Sequence, residues 1–349
     1  MLIRDATPDD TRALWDLARV SPEESRLWRL RMLGAPEPVD VRLWPKRHPD
    51  ERGLVAIESS FDGLAGCLFY TPLLVKINGA LTPGVYLDRW RVHPSFRRQG
   101  VGSALLARVE EEALGLGSEL IWAAVLGGNR PSLAAFERNG YRLTRGVRVV
   151  TMLARPGSAI RRVGLELRPA TEGDLAEIAD RLNAFYAEHN FWEPTSVESL
   201  RERSSRYPTY SLDDLWIARR NDSAAVAGLH HSSRAMRMRL TGLPPLVGAL
   251  AHLLSLSDLV PDITRPFGVA YIRDVCYEGS GGARLACDLI AHLVTRAYPE
   301  AQFVVLLADE AGPLAPVLAS LRGLRGRLEL VVKAPFVPQE SRPSYFAVA

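Results

Sequence analysis

Cysteine is scarce in this chain. There are three in 349 residues, Cys67, Cys276 and Cys287, each alone inside an apolar run. An odd set without close spacing excludes a disulfide framework and a cysteine-based zinc site, so reduced thiols and a cytoplasmic setting are expected. Long apolar runs are missing as well. A membrane-spanning helix needs roughly 20 such residues. The longest candidate, Leu243 to Leu256, contains Pro244, Pro245 and His252 and reads instead as a buried helix. No membrane contact is expected. Met1 to Pro8 has no basic segment leading into an apolar core, so no secretory leader is expected either. Net charge is only +3, and no basic tract is interleaved with aromatics, which excludes nucleic acid as the expected partner. Lysine is sparse beside arginine, whose planar fork is the better partner for phosphate.

What remains is an ordinary globular composition, 47% hydrophobic and 24% charged, over a length that favours two domains. The chain repeats itself. Ile3-Arg4-Asp5-Ala6-Thr7-Pro8-Asp9-Asp10 matches Leu167-Arg168-Pro169-Ala170-Thr171-Glu172-Gly173-Asp174. Each copy reads as a short strand entering a helix, with Thr7 and Thr171 as N-caps and Asp10 and Asp174 as capping carboxylates. Later features recur in the same order. Strands flank Asp62-Gly63 and Asn221-Asp222, and strand–glycine loop–helix units run from Val85 to Glu112 and from Val269 to Thr295. The expected fold is α/β, with two tandem domains of one topology. Residues 1–155 and 165–349 form them, and 156–164 have linker chemistry.

The most informative stretch is Tyr86-Leu87-Asp88-Arg89-Trp90-Arg91-Val92-His93-Pro94-Ser95-Phe96-Arg97-Arg98-Gln99-Gly100-Val101-Gly102-Ser103. It opens as a strand and turns through glycines into a helix over Ser103 to Leu114. That helix has Leu105, Leu106, Val109, Ala113 and Leu114 on one side. Glycine lets backbone amides approach a ligand, and a helix start adds free N–H donors and the positive end of its dipole. Arg97 and Arg98 add charge. An anion site is the chemistry this pattern suits.

The string Arg97-x-x-Gly100-x-Gly102 after Val92-His93-Pro94 resembles motif A of the GCN5-related N-acetyltransferases (GNAT). Asn129-Arg130-Pro131-Ser132 through Phe136 to Gly140-Tyr141 looks like that family's motif B. The resemblance covers residues 1 to about 155 and implies mixed, mostly antiparallel sheets flanked by helices. It implies acetyl-CoA as co-substrate, with its pyrophosphate on the amides from Arg98 to Ser103, Gln99 and Val101 among them. The pantetheine arm would lie along Trp90, Arg91 and Val92, with Asn129 contacting the cofactor. The acceptor would be a primary amine on a small molecule or a peptide. Strand periodicity puts Asp88, Trp90 and Val92 on one face. The string around Asp88 is similar to the acidic strand of GNAT aminoglycoside acetyltransferases, where a carboxylate orients or deprotonates the amine. An ion pair with Arg89 or Arg91 is the bland alternative. Many relatives place a tyrosine acid where this chain has Phe136, which leaves Ser132, a water or no acid. Tyr141 reads as core.

His93 beside proline reads as structural, and His230-His231 lacks nearby ligand spacing, so no metal is expected. The second loop, Tyr271 to Ala283, sets Glu278 where Arg97 stands and is expected not to hold acetyl-CoA. Its domain then serves the acceptor pocket, a scaffold or a homodimer contact. An acyl-CoA-binding module without turnover is the competing function. A P-loop is excluded by the missing lysine, and a dinucleotide fold by the loop's late position. Pocket walls are expected from helices over Leu14 to Leu33, with Arg26, Arg29 and Arg31, and from Arg234 to Pro266.

Overall fold

The computed structural model describes residues 1–24, 29–34, 48, 50–157, 164–205, 209–241, 244–255, 261–263 and 265–346. The first half contains β1 (Leu2–Asp5), α1 (Thr11–Val20), β2 (Glu23–Glu24), β3 (Arg29–Gly34), β4 (Arg52–Ile57), β5 (Leu64–Ile77) and β6 (Ala80–Val92). It continues through α2 (Val101–Gly115), β7 (Leu120–Leu126), α3 (Arg130–Arg138), β8 (Arg142–Leu143) and β9 (Val147–Leu153). The second half begins with β10 (Glu166–Pro169), α4 (Leu175–Phe185), α5 (Val197–Ser204), β11 (Leu215–Arg220), β12 (Ser223–His230), β13 (Met236–Thr241) and α6 (Pro245–Ser255). It closes with β14 (Val269–Glu278), α7 (Gly282–Ala297), β15 (Phe303–Ala308), α8 (Ala315–Ser320) and β16 (Leu324–Lys333).

The repeated opening folds the same way twice. Arg4 grips Asp10 with two bonds of 2.7 Å, and Arg168 grips Asp174 at 2.7 and 2.8 Å. Each aspartate also accepts the amide of its cap threonine at 2.8 Å. The threonine hydroxyls bond to that carboxylate as well, and each threonine side chain accepts from the backbone N–H of that aspartate, which completes the expected capping box. Arg168, with the Thr171 bonds, holds the Asp174 carboxyl well below the ordinary range.

Most of the strands join one 13-stranded sheet, in the order β1-β4-β5-β6-β7-β16-β9-β15-β14-β12-β11-β10, with β8 beside β16. The copies exchange strands at its centre. β16, from the end of the chain, pairs with β7 of the first half, and β9 of the first half pairs with β15 of the second. Parallel pairing occurs in the same place in each copy. It covers only Gly84–Leu87 against Leu120–Ala123, and Val269–Ile272 against Phe303–Leu306. Beyond those four residues the strands part. The α2 side of the first half holds an apolar core of Leu54, Leu68, Leu87, Leu105, Leu106 and Val109, and the α7 side of the second holds a matching one. Cys67 and Cys276 are buried free thiols, and burial pushes them up to about 11 and about 12.

Three expectations need correction. The helix foreseen over Leu14 to Leu33 stops at Val20. Residues 29–34 instead pair with β13, in a small sheet that joins the two segments expected to wall the pocket. Arg29 and Arg31 lie on that strand, and Arg26 lies outside the described residues. The run expected as a buried helix is helical as α6, but Leu246 and Leu253 are 86% and 63% exposed. Leu114 is exposed too, at the far edge of the α2 stripe. No helix among the described residues is long and apolar enough to cross a membrane.

After β16 the chain runs back over the first half. Gln339 N donates to Asn78 Oδ1 at 2.7 Å, Asn190 Nδ2 donates to Gln339 O at 3.1 Å, and Ser344 N donates to Asp309 Oδ2 at 2.8 Å. Beside this strap His189 is 5% exposed, and burial lowers its imidazole to about 4. A histidine kept neutral in the fold stabilises it fully above the unfolded value near 6.5, and that contribution is lost as pH falls toward 4. Chemical denaturation at pH 6.5 and pH 4.5 should show wild type losing about 2 kcal/mol more than His189→Gln. Equal losses would show that His189 is not buried neutral.

Candidate active site

The site is organised by one irregularity. β5 and β6 pair as Cys67 with Arg91 and Phe69 with Asp88, so β6 carries an extra residue. Arg89 takes it up with φ of 50°, a left-handed backbone rare for a bulky side chain. The bulge reverses the alternation of the strand. Asp88 shares a face with Phe69, Thr71 and Tyr86, whereas Trp90 and Val92 join the opposite, α2-facing core. The expectation that Asp88, Trp90 and Val92 share a face is therefore wrong, since period-two reasoning does not count an inserted residue.

Arg89 itself is buried, with its guanidinium 4.1 Å over the Phe69 ring. It pairs with Glu51 and, at 3.2 Å, with Asp88. Asp88 opens into a cavity that is in part open to solvent. Glu51, Thr71 and Tyr86 line it from the first half, and Trp192, Glu193, Arg203, Arg273 and Tyr345 from the second. No sequence signal pointed to these second-half residues. The strap after β16 brings in Tyr345 and packs Phe346 against Tyr86 at 5.9 Å.

On the other side of the sheet lies the glycine turn. Arg97 to Gly100 are exposed, Arg98 and Gly100 have φ of 62° and 86°, and α2 begins at Val101. First-turn amides of a helix have no intrahelical acceptor, so those from Gly100 to Ser103 face outward. Gly102 has a packing role: a Cβ there would meet Trp90 at 3.2 Å and Val92 at 3.3 Å. A Cβ on Gly100 would meet nothing within 4 Å, so only its backbone angle requires glycine. This open, glycine-lined cradle fits a diphosphate.

The Arg91 guanidinium turns away to the Ser21 carbonyl. The Val92 carbonyl accepts the Ser21 hydroxyl at 2.9 Å and keeps one lone pair. Asn129 caps α3, its Oδ1 accepting from Ser132 N at 3.3 Å. Ser132 sits in that first turn. Phe136 is 4% exposed between Trp90 and Tyr141, with ring centroids at 4.7 and 5.0 Å, so an apolar contact fills this position. Tyr141 is core, as expected. His93 accepts Ser95 N at 3.3 Å, a local structural role. Among the described residues no cluster could hold a metal ion.

The second copy carries the same bulge, with its register break at Val226/Gly228 and Asp274 at φ of 51°. Its cofactor side is closed. Gly281 N donates to Ser223 Oγ at 3.0 Å, and a Cβ at Gly279 would meet Asp222 O at 2.5 Å. Counted from the bulge, Tyr277 matches Val92, and its hydroxyl bonds to the Pro313 carbonyl.

Residues 16–141 match the acetyltransferase (GNAT) family model. That stretch of the chain is a GNAT-family domain. Acetyl transferase GW6a of Oryza sativa subsp. japonica is 30% identical over 246 residues, which are 66% of this chain and 56% of that protein. This chain therefore spans little more than half of that relative. Among solved structures, Saccharomyces cerevisiae N-myristoyltransferase with bound myristoyl-CoA superposes with a TM-score of 0.63 at 9% identity, over 95% of this chain and 83% of that one. A GCN5-related N-acetyltransferase from Sphaerobacter thermophilus gives 0.56 at 16% identity, over 99% and 96%. At these identities the likeness is one of fold.

Replacing Gly100 by valine forces a branched side chain into a left-handed angle, and Gly102→Leu drives into Trp90 and Val92. Calorimetric titration with coenzyme A should show each weakening binding by roughly tenfold or more, from strain of about 1–3 kcal/mol. Unchanged affinity in both would exclude this turn as the cofactor site.

Proposed function

We propose that this chain is an N-acetyltransferase whose first unit, ending near residue 155, moves an acetyl group from acetyl-CoA to a primary amine by direct attack. The second unit, from about residue 165, binds no cofactor and completes the acceptor cavity. One observation carries this reading: at the Arg89 bulge, a single strand turns Asp88 to the cavity and Trp90 and Val92 to the glycine-turn side. Donor and acceptor sites would then meet through the gap where β6 and β7 part.

Acetyl-CoA supplies an acyl group already activated as a thioester. The chain's part is to place the amine and remove its proton. A primary ammonium ordinarily titrates near 10, so most of it arrives charged and cannot attack. Asp88, held in place by Arg89 and backed by Glu51, orients that cation and accepts its proton directly or through a water. Tyr86, Trp192 and Tyr345 exclude water from part of the cavity wall, which strengthens the pairing. Phe136 can donate nothing to the departing thiolate, whose ordinary value near 8.5 makes it a tolerable leaving group without an acid.

A thiol-release assay with acetyl-CoA and a panel of amines tests the reading. Asp88→Asn should lower kcat/KM by roughly 10²- to 10⁴-fold while coenzyme A affinity stays within about twofold. Unchanged turnover would remove Asp88 from the chemistry. Tight coenzyme A binding with no release across the panel would establish the non-catalytic module instead.

A further inference from the structure

The two bulges face one cavity with opposite charge. Counted from the left-handed residue in each copy, Asp88 precedes Arg89 and Arg273 precedes Asp274. Both Asp88 and Arg273 line the same space. The duplication has thus set a carboxylate and a guanidinium at matching positions on the two sides of the acceptor site.

Arg273 is held but not filled. Its side chain is 7% exposed, its Nε pairs with Asp274 Oδ2 at 3.0 Å, and its guanidinium lies 5.4 Å from the Tyr210 ring centre. No described residue accepts from its two terminal nitrogens. Asp274, fully buried, is shared with Arg203 at 3.1 Å, so one carboxylate faces two guanidiniums. Arg203 gives a second nitrogen to Thr195 Oγ1 at 3.1 Å, while its Nε has no partner among the described residues. Glu193 lies near both arginines, but its closest partner is His48 at 3.5 Å. A buried guanidinium with open donors is costly unless an acceptor arrives, and its planar fork matches a carboxylate with two parallel bonds.

We infer that the acceptor is a zwitterion of amino-acid type, its amine at Asp88 and its carboxylate on the terminal nitrogens of Arg273. This rests on the acetyltransferase reading above and adds the substrate class. A carboxylate also fixes which way round the acceptor enters, so the amine alone reaches the gap between β6 and β7.

The test compares acceptors that differ only in the carboxylate: lysine with cadaverine, phenylalanine with phenethylamine, and 4-aminobutanoate with butylamine. At least one amino acid should exceed its matched amine by roughly 10- to 100-fold in kcat/KM, chiefly through KM. Arg273→Gln should abolish that preference, the amino acid losing at least roughly tenfold more in kcat/KM than its matched amine. Arg273→Lys keeps the charge beside Asp274 and so guards against misfolding, and it should retain only part of the preference because the fork is lost. Amines turned over as well as amino acids, or a loss equal for both in the variants, would overturn the inference and spare the proposed function. If no acceptor releases thiol, calorimetry decides. Binding of an amino acid that Arg273→Gln removes would sustain the inference and sink the transferase reading, and no binding of any of them would overturn the inference.

Discussion

The structure depends on one inserted residue. Arg89 accepts an unfavourable left-handed backbone, and what keeps it there is a buried guanidinium stacked on Phe69 and clamped between Glu51 and Asp88. Such strain persists only where the surroundings over-determine it, and here they do. The insertion ends the parallel pairing with β7, opening a gap beside the strand, and it reverses which side chains face which layer. An acidic residue on one face and an apolar, glycine-lined turn on the other follow from that single break.

The second copy shows the same break in a different setting. Its bulge is intact, but the charges are reversed, and the turn amide, the strand gap and the space above the loop are each satisfied from within, by Ser223, Tyr277 and Asp222. A duplicated fold can lose one function of a site while keeping its geometry. Arg273 retains the vantage point of Asp88 and lends the opposite charge to a shared cavity. The exchange of β9 and β16 makes the two copies inseparable, because each completes the other's sheet.

Much of this was legible in the order of residues. The repeated Arg-x-x-Thr-x-x-Asp opening announced two copies because a cap threonine and its carboxylate lie three residues apart. The Gly100 and Gly102 pattern announced a helix start with outward amides for the same reason: every contact involved is local. The face of Asp88 was misread because periodicity assumes one residue per step, and a bulge is stabilised by Glu51 and Phe69, distant in sequence. Leu246 and Leu253 were misread as buried because apolar character states a preference, while burial needs a partner surface.

By itself, the sequence determined the class of fold, the duplication and the glycine turn at the start of α2, whose signals lie within a few residues of one another. Only the tertiary structure decided which strands the copies trade, which face Asp88 occupies and which second-half side chains surround it. Those outcomes join residues as far as 261 positions apart, as in the bond of Gln339 to Asn78, and no local pattern encodes them. Sheet register and the path of the chain back across the first half set them, through packing and charge pairing between segments that meet only once folded.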